Sequence, residues 1–228
     1  MWDPVENVSF MPWLAGTALL HSILVLGTRH SLAGWTVLLA ITTFALSLIG
    51  TFVVRSGILV SVHAFAVDPD RGVFLLMLLG IATGGALSLY AMRAHTLRDP
   101  VPFETVSRDG ALVMNNLLLT AALATVFLGT FYPVFIDALN GSKISVGAPY
   151  FELTFTPIMC LLILFMGIGP MLKWRKDTLQ RHRLPILVTL IVAIKIAIAT
   201  VIFGKSILGA LALGLSAWLA VGLSLIHI

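Results

Sequence analysis

A chain of 228 residues with 59% hydrophobic and 11% charged residues cannot cover a water-facing surface, because soluble domains carry about 25% charged residues. Its mean hydropathy of +1.04 makes lipid the expected solvent and excludes a water-soluble enzyme. The pI of 9.6 comes from 14 basic residues, five of them between Lys173 and Arg183, the pattern of a basic loop between membrane helices and not of a nucleic-acid footprint.

A bilayer core takes about 20 apolar residues per helix, and that length predicts seven spans in chain order. They are Met11–Gly27, Gly34–Val53, Val73–Met92, Gly110–Pro133, Leu153–Leu172, Leu184–Phe203 and Ser206–Ile226. The last two read as a hairpin closed by little more than Gly204-Lys205. No stretch alternates apolar and polar residues over many positions, so a transmembrane β-barrel is excluded. The fold class is all-α, a polytopic bundle forming a single membrane domain over 1–228. The only cysteine, Cys160, lies in an apolar run and reads as a small buried residue. Neither CxxC nor CxxCH occurs, so no internal disulfide and no thioether-linked haem are expected. Met1-Trp2-Asp3-Pro4 lacks the positive charge that opens a signal peptide.

Basic residues set the orientation. With the Arg55–Gly72 loop outside, the inside loops hold Arg29, Arg93, Arg98, Arg108, Lys173, Arg175, Lys176, Arg181 and Arg183. The outer segments hold only Arg55, Arg71, Lys143 and Lys205. This arrangement satisfies the positive-inside rule and puts residues 1–13 and the 54–72 loop on one outer face, the periplasm in a bacterium. The chain opens directly on a polar-aromatic motif and finishes inside an apolar run at Leu225-Ile226-His227-Ile228. Both ends read as truncations.

Six histidines are present, in unlike settings. His30, His95 and His182 fall in inside loops beside arginines and read as solvated surface residues. His21 is about ten residues, or about 15 Å, into the first span. An ionisable group at that depth is costly. It is either an axial ligand to haem iron or a histidine hydrogen-bonded to a neighbouring helix. His63 lies in Ser61-Val62-His63-Ala64-Phe65-Ala66, a short apolar-aromatic stretch expected along the membrane interface. Arg55 starts the same loop and either pairs with a carboxylate such as a haem propionate or snorkels to headgroups. Trp2, Asp3, Glu6, Asn7, Phe10 and Trp13 form an outer-face cluster. Its rings suit either stacking on a planar ligand or an interfacial aromatic belt, and a belt leaves the two carboxylates and Asn7 unexplained. Asn115-Asn116 and Lys195 are polar groups within spans and receive no role.

These residues resemble a family. Trp2-Asp3-Pro4-Val5-Glu6-Asn7, then Ser9-Phe10-Met11-Pro12-Trp13-Leu14, is similar to the C-terminal half of the tryptophan-rich WWD motif of the CcmF-type cytochrome c biogenesis proteins. Gly50-Thr51-Phe52, Val54-Arg55-Ser56-Gly57, Ser61-Val62-His63-Ala64-Phe65, Asp68-Pro69, Arg71-Gly72, Lys143-Ile144-Ser145-Val146-Gly147 and Pro149-Tyr150-Phe151 follow in the family's order. The haem-handling CcmC and CcsA proteins share the WWD motif. The spacing of His21 and His63 and the Ile-Ser-Val-Gly block favour CcmF, with the nitrite-reductase assembly protein NrfE its nearest relative.

The resemblance implies a haem lyase subunit, active within a bacterial inner-membrane complex, that holds and reduces haem for covalent attachment to apocytochrome c at the periplasmic face. It implies that His21 ligates the iron of a stable intramembrane haem b. It implies that His63 ligates a transient haem at the WWD surface, held there by Trp2 and Asp3. The implied partners are a CcmE-like haem chaperone, a CcmH-like presenter and apocytochrome c carrying CxxCH. The first half of the WWD motif, the first external histidine and the second intramembrane ligand have no counterpart in the chain, so the segment alone is expected to be inactive. The rival class is a transporter or channel with His21 and Lys195 on a polar path, but no inverted repeat is present and the outer aromatic cluster would have no purpose.

Overall fold

The structure is a computed structural model and describes residues 2–58, 68–97, 103–204 and 206–225. All regular structure among the described residues is helical. Seven helices are long and apolar enough to cross a membrane: α1 (Pro4–Arg29), α2 (Ala33–Ser56), α3 (Pro69–Arg93), α4 (Arg108–Asn140), α5 (Ala148–Ile168), α6 (Arg183–Ile202) and α7 (Ile207–Ser224). The described residues divide into two compact units. The first contains residues 1–101 and 119–158, and the second residues 102–118 and 159–228.

Helix α1 begins seven residues before the expected Met11. Asp3 sits in extended backbone (φ −84°, ψ 138°) and its carboxylate accepts the Val5 N–H at 2.9 Å, with Pro4 at the first helical position. A side-chain N-cap of this kind contributes about 1 kcal/mol. The opening motif is therefore the first turns of the first helix. Val8, Met11, Leu14, Ala15, Ala18, Ser22 and Val25 are buried at helical spacing, which faces α1 onto its neighbours. The helix ends at His30, whose backbone is left-handed (φ 54°) and whose N–H reaches the Leu26 carbonyl at 2.9 Å.

Helix α2 returns beside α1. Ser22 Oγ lies 2.7 Å from Thr36 Oγ1, and Thr36 in turn donates to the Leu32 carbonyl, so Ser22 is the donor of the interhelical bond. Pro12 has no N–H to give the Val8 carbonyl one turn earlier. Gly50 packs at that oxygen, where a Cβ on Gly50 would stand 3.2 Å away. That close approach gives the Gly50-Thr51-Phe52 block a packing reason. Helix α3 starts with the same chemistry as α1: Asp68 caps through the Arg71 N–H at 3.1 Å and is ion-paired with the Arg71 side chain at 3.1 Å. The Asp68 N–H reaches the Arg55 carbonyl at 3.0 Å, joining the end of α2 to the start of α3.

Helix α4 runs 33 residues, about 50 Å, and continues past Pro133, its expected end. An internal proline removes one backbone bond, and the helix carries on to Asn140. It closes at the left-handed Gly141 (φ 71°), whose N–H bonds the Asp137 carbonyl at 2.8 Å. In the first unit Asn7 Nδ2 donates to Thr130 Oγ1 at 3.0 Å, both residues being buried. This joins α1 to α4 by a bond worth about 0.6 kcal/mol in a membrane protein.

In the second unit α6 and α7 form the expected hairpin, with Ser206 capping α7 through the Gly209 N–H. Trp218 on α7 fills the space left by Gly167 on α5 and donates Nε1–H to the Leu164 carbonyl at 3.2 Å. The basic loop before α6 is built on Asp177. Its carboxylate accepts the Lys173 N–H at 2.9 Å, the Thr178 N–H at 2.8 Å and His182 Nε2 at 2.8 Å. Arg108 donates its N–H to the Lys173 carbonyl at 2.9 Å and its guanidinium to the Pro170 carbonyl. Asp109 Oδ1 accepts the Arg175 N–H at 2.8 Å.

Two outcomes are expected. A Cβ at Gly167 would lie 2.1 Å from Trp218 Nε1, so Gly167→Val should cost about 1–3 kcal/mol by overpacking and lower the unfolding midpoint in detergent. Gly80→Ala, which has nothing within 4 Å, should leave the midpoint unchanged. An unchanged midpoint for Gly167→Val would show that Trp218 is not seated there.

The Lys173 N–H, then His182 and the Thr178 N–H, hold the Asp177 carboxyl well below its ordinary value of 3.8. A depressed carboxyl stabilises the fold above its unfolded pKa and loses that contribution as pH falls through the folded value. Amide-exchange protection of Lys173 and Thr178 should therefore be flat from pH 7 to about 4 and decline below it. Asp177→Asn should remove this dependence and speed tryptic cleavage at Arg175 and Lys176 several-fold at pH 7. A wild-type cleavage rate would refute the anchoring role.

Candidate functional site

Element order brings the starts of α1, α3 and α5 and the ends of α2 and α4 to one end of the first unit. Three of the residues singled out from sequence, Trp2, Asp3 and Arg55, lie at that end. Trp2 is stacked on Phe151 (centroids 4.5 Å, planes 12° apart) and meets Phe155 edge-on at 5.1 Å. Phe155 touches Phe10 at 5.7 Å, and Phe10 stacks on Trp13 at 5.4 Å. One face of Trp2 is therefore committed to Phe151, a pairing worth about 0.5–1.5 kcal/mol beyond area burial, and Trp2 serves as a wall of an α1–α5 aromatic cluster. Trp13 is 57% exposed, as a belt residue would be. Asp3 and Asn7, both buried, are engaged as the α1 cap and the Thr130 donor. Glu6 is exposed in the first turn.

Two clefts open among these elements. The first, about 490 Å³, lies between α1 and α2 and is lined by Val8, Ser9, Pro12, Ser47, Gly50, Thr51, Val54 and Arg55. The half-buried Arg55 side chain makes no hydrogen bond or ion pair among the described residues, so its donors are available to a carboxylate in that cleft. The second, about 440 Å³, is lined by Pro4, Ile58, Gly129, Thr130, Pro133, Val134, Asp137 and Lys143 to Val146. Segments far apart in sequence converge here: the opening motif through Pro4, Ile58 just after the Arg55 block, and the Lys-Ile-Ser-Val block. Lys143 and Asp137 are exposed there, and neither has an ion-pair partner among the described residues. His63 lies outside the described residues. Ile58 and Asp68 flank its segment at the same end of the unit.

His21 is the eighteenth residue of α1, not the tenth of a shorter span. It stands about 26 Å from the Pro4 end and about 12 Å from the Arg29 end, still within the apolar stretch. Its Nδ1 is buried without a hydrogen-bond partner, and the ring makes no hydrogen bond to any described residue. The neighbouring-helix bond that was one sequence reading of His21 is thus not found among the described residues. A half-buried imidazole with an orphaned nitrogen is a donor of the chemical type that ligates haem iron. Lys195 is exposed on α6 in the second unit, and Asn115 is buried there with Oδ1 unpartnered.

Sequence reasoning missed Thr130, Phe155 and the role of Phe151 in covering Trp2. Their positions on α4 and α5 follow from which helices pack together, a fact no local pattern carries. The lining role of Lys143 was missed although its block had been noted.

Comparison with known proteins agrees with this architecture. The family described as Cytochrome C assembly protein matches residues 1–60. The cytochrome c-type biogenesis protein CycK of Rhizobium meliloti is 61% identical over 178 residues, which is 78% of this chain and 26% of that protein. The cytochrome c-type biogenesis protein CcmF of Escherichia coli is 44% identical over 223 residues, 96% of this chain and 34% of that protein. A solved structure of the cytochrome c haem lyase CcmF matches 100% of this chain and 33% of its own with a TM-score of 0.75 at 29% identity. The chain thus spans about a quarter to a third of the length of these relatives. With its seven apolar helices and its opening motif folded as the capped start of α1, the chain belongs to the CcmF-type family of cytochrome c biogenesis proteins.

Proposed function

We propose that this chain is the part of a haem lyase subunit of cytochrome c maturation that holds haem in two separate places. One is within the bacterial inner membrane at His21, and the other is on the periplasmic face beside Trp2, Arg55 and His63. The observation that carries the reading is the convergence of the opening motif, the Arg55 block and the Lys143–Val146 block on clefts at one end of the first unit. About 26 Å along α1 from that end stands an imidazole whose Nδ1 is buried and unpartnered among the described residues.

Each residue has a distinct task in this reading. His21 would hold a resident haem b through one imidazole nitrogen. When bound, that haem would supply a one-electron iron couple. Arg55 offers a rigid fork of donors to a propionate of the delivered haem, and His63 ligates its iron. Trp2, fixed by Phe151, and Asp3, fixed at the cap, shape the wall beside them. The outer end is where a CcmE-like chaperone would deliver haem and a CcmH-like presenter would bring the CxxCH thiols of apocytochrome c.

Separate mutations should separate the two haems. In the full-length protein, His21→Ala should lower the Soret absorbance of the purified protein at least fivefold while membrane insertion is unchanged. Full haem content in that variant would remove His21 from the assignment. His63→Ala should lower the yield of holocytochrome c several-fold with the Soret band of the purified protein intact. Added imidazole, small enough to enter an open site, should restore part of the yield. Equal loss of both signals, or a wild-type yield, would show that His63 has no separate role.

A further inference from the structure

Lys195 has no part in the haem reading, and its surroundings point elsewhere. On one side of α6, Thr189, Ala193 and Thr200 are buried, and α7 packs close through Gly214 and Gly222, which approach Ala193, Ala197 and Thr189. About 160° round the helix, at about 100° per residue, runs a second stripe: Leu184, Val188, Ile191, Lys195, Ile198 and Ile202. Its intervals alternate between four and three residues, the spacing of a seam that packs knobs into holes against another helix. The five apolar members are 41 to 76% exposed. Lys195 at the centre is exposed and has no hydrogen bond or ion pair among the described residues.

An ammonium at this depth needs a partner. Lys195 is about 10 Å from the Ile202 end of α6 and about 18 Å from the Arg183 end. Helical side chains lean toward the N-terminus, so its stem points along the longer route and snorkelling to headgroups is poorly served. A second copy paired symmetrically through this stripe would set ammonium against ammonium. A polar residue at one seam position fixes register and partner at a cost in stability.

We propose that this face of α6 docks a transmembrane helix carrying one Asp or Glu near its middle, with that carboxylate paired to Lys195. We assign the helix to the additional length of the full protein, since relatives and the solved structure extend to about three times this chain. The pairing does not depend on the haem assignment, and haem content need not change for it to fail.

The test uses the full-length protein with a photo-crosslinking phenylalanine at Ile191 or at Ile198. Both positions should crosslink to one helix of the same polypeptide, with an Asp or Glu between the two attachment points. Lys195→Glu should lower the amount of folded protein in the membrane at least fivefold, and changing the identified acid to Lys in the same chain should restore at least half of it. Crosslinks to lipid, to a second copy or to another protein would overturn the proposal. So would a partner helix without an acid, a wild-type level of Lys195→Glu, or a swap that restores nothing.

Discussion

Hydrocarbon offers no hydrogen bonds, and this single property of the solvent governs which polar groups the chain can carry. Most are satisfied within their own helix. Thr17, Thr28, Thr43, Ser47, Thr51, Thr154, Thr189, Thr200 and Ser216 each donate to the carbonyl four residues earlier. Others are spent on joining helices, as in Asn7 with Thr130 and Ser22 with Thr36. Against that background the exceptions become informative. Among the described residues, His21 Nδ1 is buried with no partner and Lys195 is exposed to the same solvent with none.

The end of the first unit where α1 begins shows how one motif is spent on assembly and what it leaves available. Asp3 and Asn7 look, in sequence, like groups for fixing the edge of a ligand. Their atoms are engaged in capping α1 and in holding α4. What they leave free is Arg55 on the α1–α2 cleft and Lys143 and Asp137 on the adjacent one. The aromatic cluster divides in the same way. Trp2 is fixed between Phe151 and Phe155, so it presents one rigid side to whatever occupies the end of the unit.

The second unit carries its charge differently. Its basic loop is ordered because Asp177, Asp109 and Arg108 supply partners to backbone groups that no helix satisfies. The charges therefore act as fasteners at the membrane surface, where water and salt temper them. Lys195 is set among apolar residues, where a charge is worth far more as a specific partner signal. Family membership, together with the clefts at the end of the first unit where α1 begins, leaves the transport reading of His21 and Lys195 without a supporting observation.

Sequence by itself determined the solvent, the all-helical class, the number of spans and the family. Each of these rests on local composition or on residues adjacent in the chain. It also picked out His21, whose depth in an apolar run marks it before any fold is known. The start of α1 and the end of α4 escaped it: the polar residues before Met11 lie outside any apolar run yet form the capped first turns, and Pro133 signals an ending in sequence, whereas the membrane helix loses only one bond there and continues. The convergence of Pro4, Ile58 and Lys143 on one cleft, the covering of Trp2 by Phe151 and the exposure of the Lys195 stripe were decided only by tertiary packing. Each depends on which helix faces which, and helices apolar on nearly every side give no local sign of the face that will meet a neighbour.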